Sequence, residues 1–157
     1  MKLSKQNLFF MNPYLVQALA AAIPMVVGFL WYNPKTFEPA WMQSIGMTKE
    51  KQAGGNFALI FGLSFLMAFL LTMPLSYFVN HYSMHGGDAS YDTFKHGAFH
   101  GAAMGLFVAL PIIAQKALFE QRSFKYFLIN VGYWVVTLAL MGGVLDHFLP
   151  TIVPAGG

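Results

Sequence analysis

The chain has 157 residues, of which 9 are Lys or Arg and 6 are Asp or Glu, so 10% are charged while 57% are hydrophobic. Soluble domains carry about 25% charged residues, and a single domain of this length has too little interior to hide so large an apolar excess; a disordered chain is excluded too, being rich in charge and poor in aromatics. With no cysteine in the sequence, disulfides, thiolate metal sites and cysteine nucleophiles drop out, and because the basic residues are scattered rather than clustered, the net charge of +3 reports membrane topology and no nucleic-acid partner.

Four stretches approach or exceed the ~20 apolar residues that a helix needs to cross a bilayer: residues 14–33, 57–80, 97–119 and 124–149. Within them the charged residues are Lys116, Lys125 and Asp146, all near an end, as expected where a charge at mid-bilayer costs at least ~2.5–3.5 kcal/mol. None of the four carries the polar stripe of a soluble-bundle helix. The expected fold is an all-α integral membrane protein, a single transmembrane domain over residues 1–157.

Lys2 and Lys5 ahead of an apolar run look like a secretory signal, but the small residues Ala18 to Ala22 lie within the apolar core rather than after it. The first span is therefore expected to be retained, opened by Asn12-Pro13 and kinked at Pro24. Loop one contains Phe37, Ala40, Trp41 and Ile45 at i, i+3, i+4 and i+8, which predicts a short interfacial helix over about 36–46, ended by Gly46. A polar turn then runs from Thr48 to Gln52, and Gly54-Gly55 leads into the second span. Pro111 is a second expected kink, tolerable where neighbouring helices satisfy the freed carbonyl.

Four crossings put both termini and loop two (81–96) on one side, with loops one (34–56) and three (120–123) on the other. Lys2, Lys5 and Lys95 fall on the first side; Lys35, Lys49, Lys51, Lys116, Arg122 and Lys125 fall on the second. This excess places loops one and three in the cytoplasm and the termini outside, although Lys2 and Lys5 argue the other way.

The third span opens with Gly97, Gly101 and Gly105, spaced by four on one helix face, a small-residue groove of the kind that lets helices approach closely in lipid. It serves either a homo-oligomer seam or, more simply, contact within the bundle. All five histidines lie near one membrane face. His81 and His85 follow the second span, His96 and His100 open the third, and His147 ends the fourth beside Asp146; Asp88 and Asp92 lie between. Each i, i+4 pair places two rings on one side of a helix, within reach of a single ion. Imidazole with carboxylate suits zinc, copper, nickel or iron. Ordinary interfacial histidines, with Asp92 capping the third helix, are the simpler account. His100 lies about a turn inside the membrane, which makes it a site candidate in its own right.

The opposite face has its own polar set: Asn33, Glu120 and Arg122, and Asn130 about 9 Å into the fourth span at ~1.5 Å per residue, accompanied by Tyr32, Tyr133 and Trp134. Such groups ordinarily form an interfacial belt and an interhelical hydrogen bond. No phosphate loop, Ser/His/Asp order or buried carboxylate pair is present in the sequence, so nothing points to an enzyme.

Several motifs are shared with a known family. Gly28-Phe-Leu-Trp31-Tyr32-Asn33-Pro34, Phe37, Trp41-Met42 and Gly46-Met47-Thr48, then His100-Gly101, Ala109-Leu110-Pro111, Leu118-Phe119-Glu120 and Phe127-Leu-Ile-Asn130-Val-Gly132-Tyr133-Trp134 through Leu140-Met141-Gly142 resemble the domain-of-unknown-function 1761 family over about residues 28–143. The resemblance implies a small four-helix protein, mostly bacterial and hence of the inner membrane, and implies no activity. Most matched polar residues lie on the loop-one and loop-three face; of the histidines, His100 alone falls in a matched motif.

Three functions follow as expectations. A transport or channel-like role would use Asn130, His100 and the Pro24 and Pro111 kinks in an oligomer. A non-catalytic accessory role would need a homo-oligomer or a membrane-protein partner. A metal-dependent role would use His96, His100 and His147, with Asp146 beside them and His81 and His85 nearby.

Overall fold

The computed structural model describes residues 12–79 and 89–149, and all regular structure among these is helical. Helix α1 (Pro13–Trp31) starts where Asn12 Oδ1 accepts the Tyr14 N–H at 2.9 Å and Pro13 occupies the first turn, a position whose N–H has no helical partner in any case. Pro24 lies inside α1. Helix α2 (Glu38–Ile45) begins two residues later than the expected 36, because residues 33–37 close a turn in which the Thr36 hydroxyl reaches back 2.7 Å to the Trp31 carbonyl. It ends at Gly46, whose φ of +65° is the left-handed cap that glycine adopts without strain. The expected turn after Thr48 is instead a short helix, α3 (Lys49–Ala53), because the Thr48 hydroxyl accepts the Lys51 N–H at 3.3 Å and caps it.

Helix α4 (Phe57–Val79) crosses with Pro74 in its interior, a position the sequence reading did not single out. The third span starts at Phe94, three residues before the expected 97. Its cap is Thr93, whose hydroxyl accepts the His96 N–H at 3.2 Å, and not Asp92. Helix α5 (Phe94–Met104) passes through a π-helical turn (Gly105–Ala109) into α6 (Leu110–Phe119). Pro111 has no N–H for the Phe107 carbonyl, and the wider π turn just before it absorbs that loss, so helix continues across the proline. Helix α7 (Phe124–Phe148) is capped by Ser123, whose Oγ accepts the Tyr126 N–H at 3.2 Å.

Four helical stretches, Pro13–Trp31, Phe57–Val79, Phe94–Phe119 and Phe124–Phe148, are long and apolar enough to span a bilayer. The chain is a multi-pass membrane protein. Helix α7 is the most buried of the four and forms the axis, with α5 packed along it and α1 wedged against both α7 and α4. The core is Val16 and Ala20 of α1, Leu75 and Val79 of α4, and Leu138, Met141 and Leu145 of α7. Large side chains such as Leu59, Phe61, Leu66, Phe107 and Phe119 point outward, a surface that water would not tolerate and lipid requires.

The glycines of the third span face α7 of the same chain. A methyl at Gly97 would strike the Gly142 carbonyl and Asp146 Cβ, one at Gly101 the Leu138 carbonyl, and one at Gly105 the Val135 backbone, with Val135 Cα 2.7 Å away. Gly142 answers from the other side, where an added Cβ would strike the Gly97 carbonyl. The two backbones therefore meet without intervening side chains, held by dispersion over a close contact.

Candidate functional site

The α5–α7 seam brings chemistry together at one end of the bundle. His96 and His100 are one turn apart on α5 and share a face. The bare Gly97–Gly142 crossing lets Asp146 of α7 come up beside them. His96 Nδ1 stands 2.9 Å from Asp146 Oδ2, and His96 Nε2 stands 3.1 Å from His100 Nε2. With His96 neutral, its Nδ1–H donates to the carboxylate, its Nε2 is left as an acceptor, and His100 donates through Nε2–H. The result is one chain of polar groups, Asp146 to His96 to His100.

The burial is uneven. The Asp146 side chain is 1% exposed and that of His96 is 17% exposed, so the carboxylate is enclosed by helices while the first imidazole is partly open. Aromatic rings wall the rest. Tyr91 lies 5.8 Å from the His96 ring, and Phe78 of α4 and Phe99 of α5 lie 5.9 and 5.5 Å from that of His100, both edge-on. A carboxylate so fully enclosed by apolar helices is costly, and the partner imidazole offsets that cost.

His147 does not join the cluster: one residue past Asp146 on the helix, it turns about 100° away, is exposed, and packs 4.6 Å from the Phe148 ring. His81 and His85 lie outside the described residues. Among the described residues no three His, Asp or Glu side chains form a group able to hold a metal ion together.

The opposite end gathers part of the second polar set. Trp31 Nε1–H donates to the Ile129 carbonyl at 3.1 Å, the Tyr32 hydroxyl donates to Asn130 Oδ1 at 3.4 Å, the Asn130 amide donates to the Tyr126 carbonyl at 2.7 Å, and the Tyr133 hydroxyl donates to the Pro24 carbonyl at 3.0 Å. The Trp134 ring packs 5.3 Å from that of Tyr133. Apart from the Asn130–Tyr126 bond within α7, these bonds tie α1 and the residue that caps it to α7. Asn33 stands apart, its Oδ1 accepting the Lys35 N–H at 3.0 Å within the turn after α1. Glu120 stands apart as well, paired with Arg122 Nε at 3.0 Å and Lys116 Nζ at 3.9 Å on the surface.

Two residues of this end escaped the candidate set. Trp31 stands in the Trp-Tyr-Asn-Pro run, which the family resemblance had already marked. Glu38 opens α2, is 5% exposed, and its Oε1 accepts from Lys49 Nζ at 2.8 Å and Gln52 Nε2 at 3.2 Å. Those hydrogen bonds, with that from Lys49 foremost, hold its carboxyl below the usual value, against the opposing effect of burial. A lone Glu in a greasy short helix was the available signal; its partners, 11 and 14 residues away, follow no local spacing.

The described core separates the two ends. Leu138 and Met141 of α7, with Leu75 of α4 and Ala20 of α1, pack at the level between Asn130 and Asp146, two groups about 24 Å apart along α7 at ~1.5 Å per residue. Searches of the curated proteins and of the solved structures each gave no match. A family model does match, over residues 15–146, a stretch that includes Trp31, Asn130, Tyr133, His96, His100 and Asp146, and the chain therefore belongs to the family described as Protein of unknown function (DUF1761).

Proposed function

We propose that this is a non-catalytic, ligand-binding membrane protein of carrier or accessory type, whose working site is the Asp146–His96–His100 cluster. The observation that carries this reading is the 1% exposed carboxylate joined through one imidazole to a second. Apolar residues would hold α5 to α7 as well, since replacing buried polar partners by packed hydrophobes of similar volume is often neutral or stabilising, so packing alone does not call for the carboxylate and the two imidazoles. With loops one and three in the cytoplasm, as their basic residues favour, the cluster faces the outer side.

A conduit through one chain is disfavoured by the apolar layer at Leu138, Met141 and Leu75, so any transport role needs several copies or movement of the helices. The test is the double variant His96→Phe/Asp146→Leu, purified in detergent. A folded protein with an unchanged or higher thermal midpoint supports a cluster kept for binding. Loss of the fold would make the cluster a structural pin and end this reading. Ion flux in proteoliposomes that Asn130→Leu abolishes would replace it with a conduit.

A further inference from the structure

We propose that His96 and His100 ligate one divalent first-row transition-metal ion through their Nε2 atoms, with Asp146 as the positioning carboxylate on His96 Nδ1. This names the ligand of the site proposed above and rests on that reading.

The separation of the two nitrogens is the first argument. At metal–nitrogen distances of about 2.0–2.1 Å, two imidazoles on one ion stand about 2.9 Å apart at a right angle and about 3.4 Å apart at the tetrahedral angle, against about 4.1 Å for a linear pair. The observed 3.1 Å lies between the octahedral and tetrahedral values and well short of the linear one. The ring planes cross at 63°, so the rings converge edge to edge rather than stacking. Small rotations, with the His100 proton carried from Nε2 to Nδ1, convert the nitrogen-to-nitrogen hydrogen bond into two bonds to a shared ion.

The second argument is the orientation of His96. A metal-bound imidazole ordinarily donates its other N–H to a carboxylate, which fixes the tautomer and strengthens the ligand. Asp146 Oδ2 occupies that position at 2.9 Å from Nδ1, leaving Nε2 as the metal-binding atom. The i, i+4 spacing on α5 is the one by which helical histidine pairs reach a single ion. Imidazole ligands without thiolate suit zinc, copper(II), nickel or iron(II). Two ligands from the described residues leave at least two further positions of a tetrahedral ion, and His96, 17% exposed, is partly open to an arriving ion.

The experiment uses the full chain in lipid nanodiscs, stripped with a chelator and titrated with Co²⁺ as a visible-absorbance probe and then with Zn²⁺ as competitor. The expected result is one Co²⁺ per chain, displaced by Zn²⁺. His100→Gln should abolish binding, with His100→Phe, which packs against Phe78, as a second variant should the first fail to fold. Asp146→Asn should keep the stoichiometry and weaken affinity 10–100-fold, as loss of a ligand-orienting carboxylate does. His147→Ala, on the exposed side chain that turns away from the cluster, should bind as the parent does. No uptake by folded parent protein, uptake indifferent to His100→Gln and His100→Phe, or uptake lost in His147→Ala would each overturn the proposal. If His96→Phe/Asp146→Leu is stable while the parent takes up no metal, the ligand assignment falls and the site reading stands; if that double variant unfolds, the site reading falls first.

Discussion

Gly101→Ala isolates the contact on which the bundle and its site both depend. The new methyl would strike the Leu138 carbonyl, with Ala139 Cα 3.0 Å away, and these are backbone atoms that cannot rotate aside. Relief requires α5 and α7 to part by roughly 1 Å, a gap that forfeits a quarter to a half of the dispersion energy of every atom pair along the seam. Overpacking of this kind costs about 1–3 kcal/mol, whereas exchange of glycine for alanine in a helix recovers up to about 1 kcal/mol. The net expectation is a loss of about 1 kcal/mol, a change of about 5-fold in the unfolding equilibrium. Equilibrium unfolding in mixed micelles measures it. Gly62→Ala on α4, where an added Cβ meets nothing within 4 Å, is the control and should be neutral or slightly stabilising. If Gly101→Ala matches or exceeds the parent in stability, the two backbones do not touch in the membrane and the seam described here is wrong.

Further outcomes follow from the other end of the bundle. Trp31→Phe removes the bond to the Ile129 carbonyl and should lower stability by about 0.5–1.5 kcal/mol, measurable in the same micelle assay. Tyr133→Phe leaves the Pro24 carbonyl without its 3.0 Å partner and should cost a similar amount, about 0.5–1.5 kcal/mol. Glu38 titrates below its usual value because Lys49 and Gln52 hydrogen-bond its carboxylate. A depressed folded-state value means that this contribution is present above the unfolded carboxylate pKa and is lost as pH falls through the lower folded value. The thermal midpoint of the parent should therefore drop more than that of Glu38→Gln between neutral pH and pH ~3; equal drops would detach Glu38 from the anchoring of α2.

The spans, their number and their lengths were legible in the amino-acid sequence, because apolarity over some 20 residues is imposed by the bilayer and needs no tertiary partner. Asn12-Pro13, Gly46 and the i, i+4 histidine pair were legible for the same reason, each acting within a turn of itself. Which residue caps the third span was not: Thr93 and Asp92 are both competent, and their local geometry selects Thr93. Continuity of the third span across Pro111 was legible, but the π turn that carries it was not, since such a turn leaves no separate sequence mark.

The candidate sites divide along the same line. Sequence by itself determined that ionisable groups gather near the membrane faces, and that glycines spaced by four leave one face of the third span bare. Only the tertiary structure decided that this face meets α7, that the meeting at Gly97 and Gly142 lifts Asp146 to 2.9 Å from His96, and that His147, one residue further, points away. A carboxylate and an imidazole 50 residues apart are joined by the crossing of two helices. That crossing is set by which backbones can approach without side chains between them, a property of both helices at once.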